Sequence, residues 1–456
     1  MLFAKKIILY LFIFSPIIFA QEKTEMIRVV GDSLIGKVID GESVREIYSN
    51  VVLTQGNVVI TCDKAVQYLA QNNAILKGNV IVRQDSLTII TDEGFYFGNE
   101  RRTKSTTGIL LDDRKVILQA DSGEYFFDED RAFFQTNVTL FDSVMTLFAD
   151  ELTYFQKEDR AVAIGNVKIV DASNEIMADK LQHFRKSKIS FADINVRIRS
   201  LENNTTIYGD HLEDYPERKY TLINKNPILI QIDTSYVSET EFKIDTLIIK
   251  AGIMEAFRDT SNIFKAVDSV RIIKGGFASV NDFTLYLQDS ETIITRKLSE
   301  DAGQPILWYE NSQLTGDSIT IYIEEKNIKQ LDVMGKAFML SQNSKYKDRF
   351  DQTSSKNVRL FFANNNLLKA EFEENVLSIY YLYEEEEANG LTKSSAKNVT
   401  IIFEDNGVTE VRLYGSALSE YHPEKQVAGN ERAFTLPKFI YYQNRPNKSD
   451  LLKTIQ

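Results

Sequence analysis

The sequence predicts an all-β protein, an elongated V-shaped β-jellyroll built from bent hairpins of about 29 residues. The first observation is composition, because the 456 residues include 21 Tyr and 28 Phe but only 7 Pro, a balance that is typical of strands. The second is alternation, because apolar residues recur at every second position, as in Val80/Val82 and Val138/Leu140. That is the period of a strand and not the 3.6-residue period of a helix. The third is a repeat.

The repeat is marked by an aspartate that returns every 29 residues, at Asp63, Asp92, Asp121, Asp150 and Asp179. Sixteen residues after each aspartate come Asn79, Gly108, Asn137, Asn166 and Asn195. Five residues after each aspartate comes an aromatic, at Tyr68, Phe97, Phe126, Phe155 and Phe184. Several columns that keep one pitch indicate stacked copies of one supersecondary unit. Each unit divides into two strands of about ten residues joined by polar turns.

Each predicted strand also contains a Gly-Asn or Ala-Asp pair in its interior, for example Gly78-Asn79 and Ala120-Asp121. Glycine inside a strand commonly marks a bulge or a bend, and Asp and Asn bond nearby backbone groups at corners. We therefore predict that every strand is folded across its middle, with one half in each of two facing sheets. The predicted corner residues are Asp63, Asp92, Asp121, Asp150, Asp179, Asn79, Asn137 and Asn166.

The apolar columns predict an interior between the two sheets. Its predicted lining is Val80, Val82, Phe97, Ile109, Leu111, Leu118, Phe126, Val138, Leu140, Leu147, Phe155, Val167, Ile169 and Ile176. A β-sandwich needs such a core for packing alone. The same columns bind acyl chains only if the sheets splay apart along one seam, in which case each methylene contributes about 0.8 kcal/mol.

The first twenty residues resemble a secretory signal peptide, since Lys5 and Lys6 precede an apolar run that ends at Ala20. An uncleaved anchor is the alternative. The formal net charge of -12 argues against nucleic acid, which demands clustered Lys and Arg. The single cysteine, Cys62, excludes an intramolecular disulfide, and its strand-like surroundings predict a buried thiol.

Catalytic chemistry has little support in the sequence. The histidines, His183, His211 and His422, fall in unrelated contexts, and His183 takes a column position that is otherwise held by Tyr. Asp210, His211, Glu213 and Asp214 form a cluster without a known metal-ligand spacing, so we expect a solvated loop there. No nucleophile-elbow, zincin or P-loop motif is present. We predict no catalytic residue, no metal and no cofactor.

Three segments carry a resemblance to a known family: GNVVITCDKAVQY (56–68), GNVIVRQDSLTIITDEGFYF (78–97) and GNVKIVDASNEIMADKLQHF (165–184). They resemble the OstA-like family, the LptA type of lipopolysaccharide-transport β-jellyroll. The repeats predict an N-terminal region over 21–215 after the signal peptide at 1–20. A second, looser OstA-like region is predicted over 316–445, with Lys in place of the aspartate, and a tail over 446–456. Residues 216–315 are either divergent repeats or a spacer.

The resemblance implies a part in carrying lipopolysaccharide or another glycolipid across the periplasm, with acyl chains held between the sheets. It also implies end-to-end strand addition to other jellyroll proteins of the Lpt type, with membrane association only through such partners, at the outer membrane. Two other hypotheses remain open. A structural or adhesive β-solenoid would have a closed, fully packed interior, and a polysaccharide-processing enzyme would need convergent carboxylates on one outer face.

Overall fold

The structure is a computed structural model, and it describes residues 25–236, 242–324, 327–363, 366–385, 387–404 and 407–453. The predicted signal peptide, residues 1–20, lies outside the described residues. Almost all of the described chain is β-strand, so the all-β prediction is confirmed. Within these ranges, no helix combines the length and the apolar character needed to cross a membrane.

The first sixteen strands cover the chain as far as Tyr215. They are β1 Arg28–Val30, β2 Ser33–Ile39, β3 Glu42–Gln55, β4 Val58–Tyr68, β5 Asn73–Gln84, β6 Leu87–Phe97, β7 Arg102–Ser105, β8 Ile109–Asp112, β9 Ile117–Ala120, β10 Ser122–Phe126, β11 Arg131–Phe141, β12 Thr146–Phe155, β13 Arg160–Val170, β14 Asn174–Phe184, β15 Ile189–Ser200 and β16 Thr205–Tyr215.

Sixteen further strands follow a 3-10 turn at Pro216–Arg218. They are β17 Tyr220–Asn224, β18 Ile228–Tyr236, β19 Phe242–Lys250, β20 Ile253–Phe257, β21 Ile263–Lys274, β22 Phe277–Leu287, β23 Thr292–Arg296, β24 Ile306–Tyr309, β25 Ser312–Thr315, β26 Ser318–Glu324, β27 Asn327–Gln342, β28 Phe350–Ala363, β29 Asn366–Glu384, β30 Glu387–Glu404, β31 Gly407–Tyr414 and β32 Leu418–His422. The short helices α1 Glu424–Val427 and α2 Lys448–Leu452 flank a 3-10 turn at Glu431–Ala433.

The chain divides into two compact units. The first contains the described residues up to Arg114 together with Ser122–Glu129, and the second contains Lys115–Asp121 and the described residues from Asp130. Within each unit, consecutive long strands pair antiparallel, as β4 with β5 in the first and β13 with β14 in the second. Strands between residues 220 and 315 continue this order in the second unit: β17 and β18 both pair with β16, and β23 and β24 both pair with β22.

At the predicted corners, a bulge divides alternate long strands, such as β5, β11, β13 and β15. In β13, Ile164 pairs with Lys180 and Val167 pairs with Ala178, so Gly165 and Asn166 together oppose one residue of β14. Both have left-handed backbone, with φ of +76° and +45°. Two residues opposite one is the definition of a bulge, which bends a strand and increases its twist. The two halves of the strand therefore pair on different sides of the corner.

The corner aspartate and asparagine are hydrogen-bonded to each other across neighbouring strands. The asparagine Nδ2 donates to the aspartate Oδ2 at 2.9 Å for Asn79 and Asp63, 2.7 Å for Asn137 and Asp121, 2.8 Å for Asn166 and Asp150, and 2.6 Å for Asn195 and Asp179. Asp92 differs, because its column has Gly108, which offers no side-chain amide. The 29-residue spacing is therefore the distance along the chain between equivalent corners of successive layers.

One later corner uses an ion pair at the same place. Glu374 and Asn375 are left-handed, with φ of +62° and +57°, and Lys356 Nζ lies 3.0 Å from Glu374 Oε1. The Asn398 side chain also accepts a hydrogen bond from the Glu374 backbone N at 3.2 Å. The lysine that replaces the aspartate thus retains a polar partner across the corner.

The halves of the strands in the second unit form two facing walls. Wall A includes residues 160–164, 220–224, 292–296, 318–324, 327–334, 357–363, 366–373, 398–404 and 407–414; wall B includes residues 167–170, 228–236, 242–250, 270–281, 306–315, 337–355, 376–385 and 387–396. Buried residues of both walls pack in one cluster, where Leu307 and Leu314 of wall B meet Leu331 and Leu360 of wall A. This cluster is the apolar core between the walls.

A segment without strands, residues 423–453, crosses the outer face of wall B, and we call it the strap. Two buried glutamines bind its backbone. The Gln352 side chain donates to Phe434 O at 3.1 Å and accepts from Leu436 N at 2.9 Å, and the Gln313 side chain does the same for Ile440 O and Tyr442 N, both at 2.9 Å. Strand pairing thus ends at His422, before the boundary predicted at 445.

Ionic and apolar contacts also hold the strap. Arg349, only 4% exposed, lies 2.6 Å from Glu424 and 3.3 Å from Glu431, and the ion pair with Glu424 lowers the pKa of that carboxyl. Leu436 packs with Leu340 and Ile379 of wall B. At the far end of the strap, Leu451 of α2 packs with Ile228 and Ile248.

Replacement of Gly165 by alanine tests the corner. A Cβ at residue 165 would lie 2.4 Å from Asp150 Oδ2, in left-handed backbone. Because Thr136 and Ile194 occupy equivalent left-handed positions with φ of +66° and +67°, the fold tolerates a side chain there at a cost. We expect Gly165→Ala to lower the free energy of unfolding by about 1–2 kcal/mol, measured by urea denaturation. Gly36→Ala, where a Cβ would meet nothing within 4 Å, is the control, and an equal loss in both variants would contradict the strain.

Replacement of Gln352 by leucine tests the strap. The variant leaves Phe434 O and Leu436 N without their side-chain partner, and an unsatisfied buried polar group costs about 1–3 kcal/mol. We expect faster hydrogen exchange and faster proteolysis within residues 424–453, while the amides of β13 and β14 keep their protection. Gln182→Leu on wall A is the matched control. Equal protection of the strap in the two variants would show that Gln352 does not hold it.

Candidate functional site: the interior between the walls

Most of the predicted interior residues lie in the core. Ten aliphatic residues are at most 5% exposed, and Ile176 is half-buried. The ten are Val80, Val82, Ile109, Leu111, Leu118, Val138, Leu140, Leu147, Val167 and Ile169. Alternation along each strand turns these side chains to one face. The structure places them in a packed interior, and lipid binding by them stays a prediction.

Three predicted interior residues, Phe97, Phe126 and Phe155, are placed differently. Each is half-buried, and the tyrosine before it is at most 1% exposed: Tyr96, Tyr125 and Tyr154. The reason is the corner, because the strand opposite the bulge turns two consecutive residues outward there, as Asp92 and Glu93 in β6, so its alternation changes phase beyond the corner. The prediction that these phenylalanines face inward is therefore wrong.

The outward phenylalanines pack against cations instead. The Arg102 guanidinium lies 4.1 Å from the ring centroid of Phe97, and that of Arg160 lies 4.0 Å from the ring centroid of Phe155. A cation over an aromatic face is attracted by the ring quadrupole. These residues stabilise the outer surface of the strands.

Polar contacts close the interior along the first part of the repeat. In the first unit, Tyr96 donates to Gln55 Oε1 at 2.5 Å, and Arg101 donates to Asn57 Oδ1 at 3.0 Å. In the second unit, Lys115 lies 3.1 Å from Asp159. Each contact joins the two sides of the interior, through a pair of strand residues or through the turns that follow the strands. The early layers are therefore packed inside, and polar contacts join their two sides at the edge of the interior.

The later layers of the second unit leave space between the walls. One cavity of about 180 Å³ is bordered by Leu307, Leu314 and Met339 of wall B and by Leu331, Leu360, Phe362, Leu367 and Phe403 of wall A. A second, of about 110 Å³, is bordered by Leu247, Ile272, Phe277, Ile293, Ile319 and Ile321. Phe277 and Leu307 border both cavities, and we call this pair of cavities the trough.

The trough is chemically suited to hydrocarbon. Glu310, Ser312 and Gln313 also border the first cavity, but most of the side chains that line the two cavities are apolar, and apolar cavities accept apolar guests. Sequence reasoning missed the trough, because the later repeats have a looser pitch of roughly 40 residues. The regular columns of the early repeats instead predicted an interior lined by residues between 80 and 176. The apolar run Leu360–Phe362 followed by Leu367 was the available signal.

The early layers match a known family. Residues 23–179 match the model of the OstA-like protein family. This region is OstA-like. The matched OstA-like region ends at the corner residue Asp179 and contains the hydrogen-bonded corners of Asp63, Asp121 and Asp150.

Two other comparisons complete this result. A crystal structure of LptH from Pseudomonas aeruginosa, described as the LptA homologous periplasmic component of the conserved lipopolysaccharide transport device, is similar over 37% of this chain and 83% of its own chain, with 17% identity and a TM-score of 0.13. At this identity and TM-score, the likeness supports no functional conclusion. No curated protein matches the chain.

The histidines have structural partners. His183 Nδ1 lies 2.9 Å from Ser190 Oγ, and burial lowers the pKa of His183. His211 lies in β16 and not in the predicted loop, so that prediction is wrong. Burial lowers the pKa of His211, but hydrogen bonds to Asp193 at 2.6 Å and Glu213 at 3.2 Å outweigh it and raise the pKa. In the described parts of the chain, no three His, Cys, Asp or Glu residues are placed to hold a metal ion.

Burial raises the pKa values of two further ionisable groups. Cys62 is 5% exposed, and burial raises the pKa of its thiol to about 11, so the thiolate is scarce at neutral pH. Asp351 pairs in register with Ser341, which borders the trough. Burial raises the pKa of Asp351 to about 7, although its carboxylate accepts a hydrogen bond from Tyr381 N at 2.9 Å.

The raised pKa of Asp351 makes stability depend on pH. Between about pH 4, where the carboxyl of an unfolded chain ionises, and pH 7, where the buried carboxyl does, the unfolded state loses its proton first. Stability therefore falls as the pH rises through this window, by up to ~4 kcal/mol. We expect Asp351→Asn to be more stable than the wild type at pH 7.5 but not at pH 4, measured by urea denaturation.

The neighbouring Asp348→Asn is the control for the Asp351 variant, because Asp348 is exposed. Its stability relative to the wild type should stay the same at both pH values. If Asp351→Asn also differed from the wild type by the same amount at pH 4 and pH 7.5, the carboxyl would not be titrating in this window.

Proposed function

We propose that this protein is a periplasmic lipopolysaccharide transport or assembly protein that shields lipid acyl chains between its two walls. The trough carries this proposal, because it is an apolar space between facing sheets in a chain that contains an OstA-like region. Burial of each methylene contributes about 0.8 kcal/mol, so a few methylenes of each chain are enough for reversible binding. Because the formal net charge of the chain is -12, we expect the protein to bind the lipid mainly through its acyl chains.

The proposal assigns the binding role to the later layers. The early layers have little room between their strand halves, and there the packed interior supports a structural role instead. The trough is bordered by flexible Met339 and by aromatic Phe277, Phe362 and Phe403. Unbranched methionine adapts to irregular apolar guests. Widening of the gap between the walls then admits a chain without breaking strand pairing.

Exposed strands support partner docking within the same proposal. Every residue of β2 is exposed, with Leu34 at 51% and Val38 at 73%, and β2 pairs with β3. Val411 of β31 and Leu418 of β32 are 45% and 59% exposed. Apolar, exposed edge strands accept a further strand from another chain. We propose that other Lpt-type jellyrolls dock on these strands and place the protein at the outer membrane.

Photo-crosslinking in Gram-negative cells tests the proposed function. A photoreactive residue at Met339 or Leu307 should label glycolipid, because both side chains border the trough. The same residue at Leu140 or Ile169 tests the packed early columns and should label glycolipid less strongly. Ile164 of β13, which is 48% exposed, is the control for non-specific labelling. Transfer of label from Met339 and Leu307 to protein neighbours alone would favour the structural β-solenoid and count against transport.

A further inference from the structure

A polar pocket lies on the outer side of wall B, where four layers meet at the corner. It has a volume of about 480 Å³ and is lined by Asn195, Val196, Arg197, Tyr208, Gly209, Asp210, Lys225, Asn226, Ile228 and Lys250. Ile207 and Leu229 pack in the interior cluster, so their neighbours Tyr208 and Ile228 face the opposite side. The pocket is therefore separated from the trough by the thickness of the wall.

Strand register assembles the cations of this pocket. Arg197 pairs with Tyr208, Tyr208 with Ile228, Ile228 with Lys250, and Lys250 with Arg271. Side chains opposite each other on paired strands share one face. Lys225 joins them from the corner, where it and Asn226 have left-handed φ of +63° and +59°. Three cations thus line the pocket together with one carboxylate, that of Asp210.

The Arg197 guanidinium has one donor that is not satisfied within the described part of the protein. Arg197 Nε is buried without a hydrogen-bond partner, and its Nη2 lies 3.7 Å from Glu175, which is held more closely by Lys168 at 2.8 Å. Burial, and then repulsion from Arg271, lower the pKa of Lys250. A lining with three cations and one carboxylate differs from the rest of a chain that has a formal charge of -12.

The floor of the pocket is fixed by packing. Ile228 is 2% exposed and packs with Ile248 and with Leu451 of the strap. Tyr208 adds a phenol hydroxyl beside the cations, and the Asn195 amide donates to Asp179 at 2.6 Å, which holds the corner in place. Fixed donors around a concave space are the usual requirement for recognition of a small molecule.

We propose that this pocket binds a phosphate monoester on a sugar, with Arg197, Lys225 and Lys250 on the phosphate and Tyr208 and Asn226 on the sugar. A volume of about 480 Å³ fits the roughly 300–1,000 Å³ range of small-molecule sites. A guanidinium matches phosphate oxygens through paired N–H groups, and lysines add point charges. The inference goes beyond the proposed function, because the pocket opens on the outer face and needs no acyl chain.

Isothermal titration of the purified protein with glucosamine 1-phosphate tests this site, with glucosamine and inorganic phosphate as the other arms. We expect binding of glucosamine 1-phosphate, weaker binding of inorganic phosphate and none of glucosamine. Lys225→Gln/Lys250→Gln should weaken binding at least 10-fold, and Arg197→Gln should do the same. Lys186→Gln/Lys347→Gln, which removes two exposed lysines elsewhere, should leave the affinity unchanged.

Three outcomes would overturn the site: no binding of glucosamine 1-phosphate, equal binding of glucosamine, or equal loss in the control variant. Flotation with phosphatidylglycerol vesicles separates a second explanation. If the pocket variants lose vesicle binding while the sugar phosphate never binds, the cations contact a membrane surface and the proposal fails. Labelling of glycolipid from Met339 is measured independently, so a failure of the pocket and a failure of the transport proposal are distinguishable.

Discussion

The pair of left-handed residues at each corner is the constraint on which the rest of the structure depends. Two residues opposite one bend the strand, and a polar side chain from the neighbouring strand fixes the bend, as Asp150 does for Asn166. Left-handed backbone is unfavourable for most L-residues. Glycine at 165 and asparagine at 166 are residue types that tolerate it, and the bend of the whole fold requires it at both positions. Without the bend, the two halves of a strand would continue in one sheet, and no interior would exist between walls.

The same constraint explains where sequence reasoning succeeded and where it failed. The spacing of Asp63, Asp121, Asp150 and Asp179 predicted the corners correctly, because each layer repeats one hydrogen bond. The alternation beyond the corner was predicted wrongly, because the number of residues opposite the bulge is not visible in one strand; Tyr96 and not Phe97 is therefore inside. The strap could not be predicted, since its partners Gln313 and Gln352 are about a hundred residues away in sequence and have no period.

Corner chemistry and interior packing change together along the second unit. Layers fixed by an aspartate and an asparagine have small, regular interiors, as at Ala163 and Leu152, which are 0% exposed. Layers fixed by Lys356 and Glu374 have longer strands, such as β29 and β30, and aromatic inner residues that leave gaps. Longer strands place the outer parts of the walls farther from the corners, and the right-handed twist of each sheet carries them apart. Strand length thus contributes to the first cavity of the trough, which Leu367 of β29 and Phe403 of β30 border.

The strap has a consequence for the order in which the molecule is completed. Its helix α2 packs on Ile228 and Ile248, about two hundred residues earlier in the chain, so this part of the outer face of wall B is covered only after residues 448–452 have been synthesised. Contacts between such distant residues form late, because a large loop must close first. A nascent chain, or one shortened before the strap, would therefore expose Trp308, Leu340 and Ile379 to the solvent. Chaperones and proteases bind such apolar surfaces until the strap covers them.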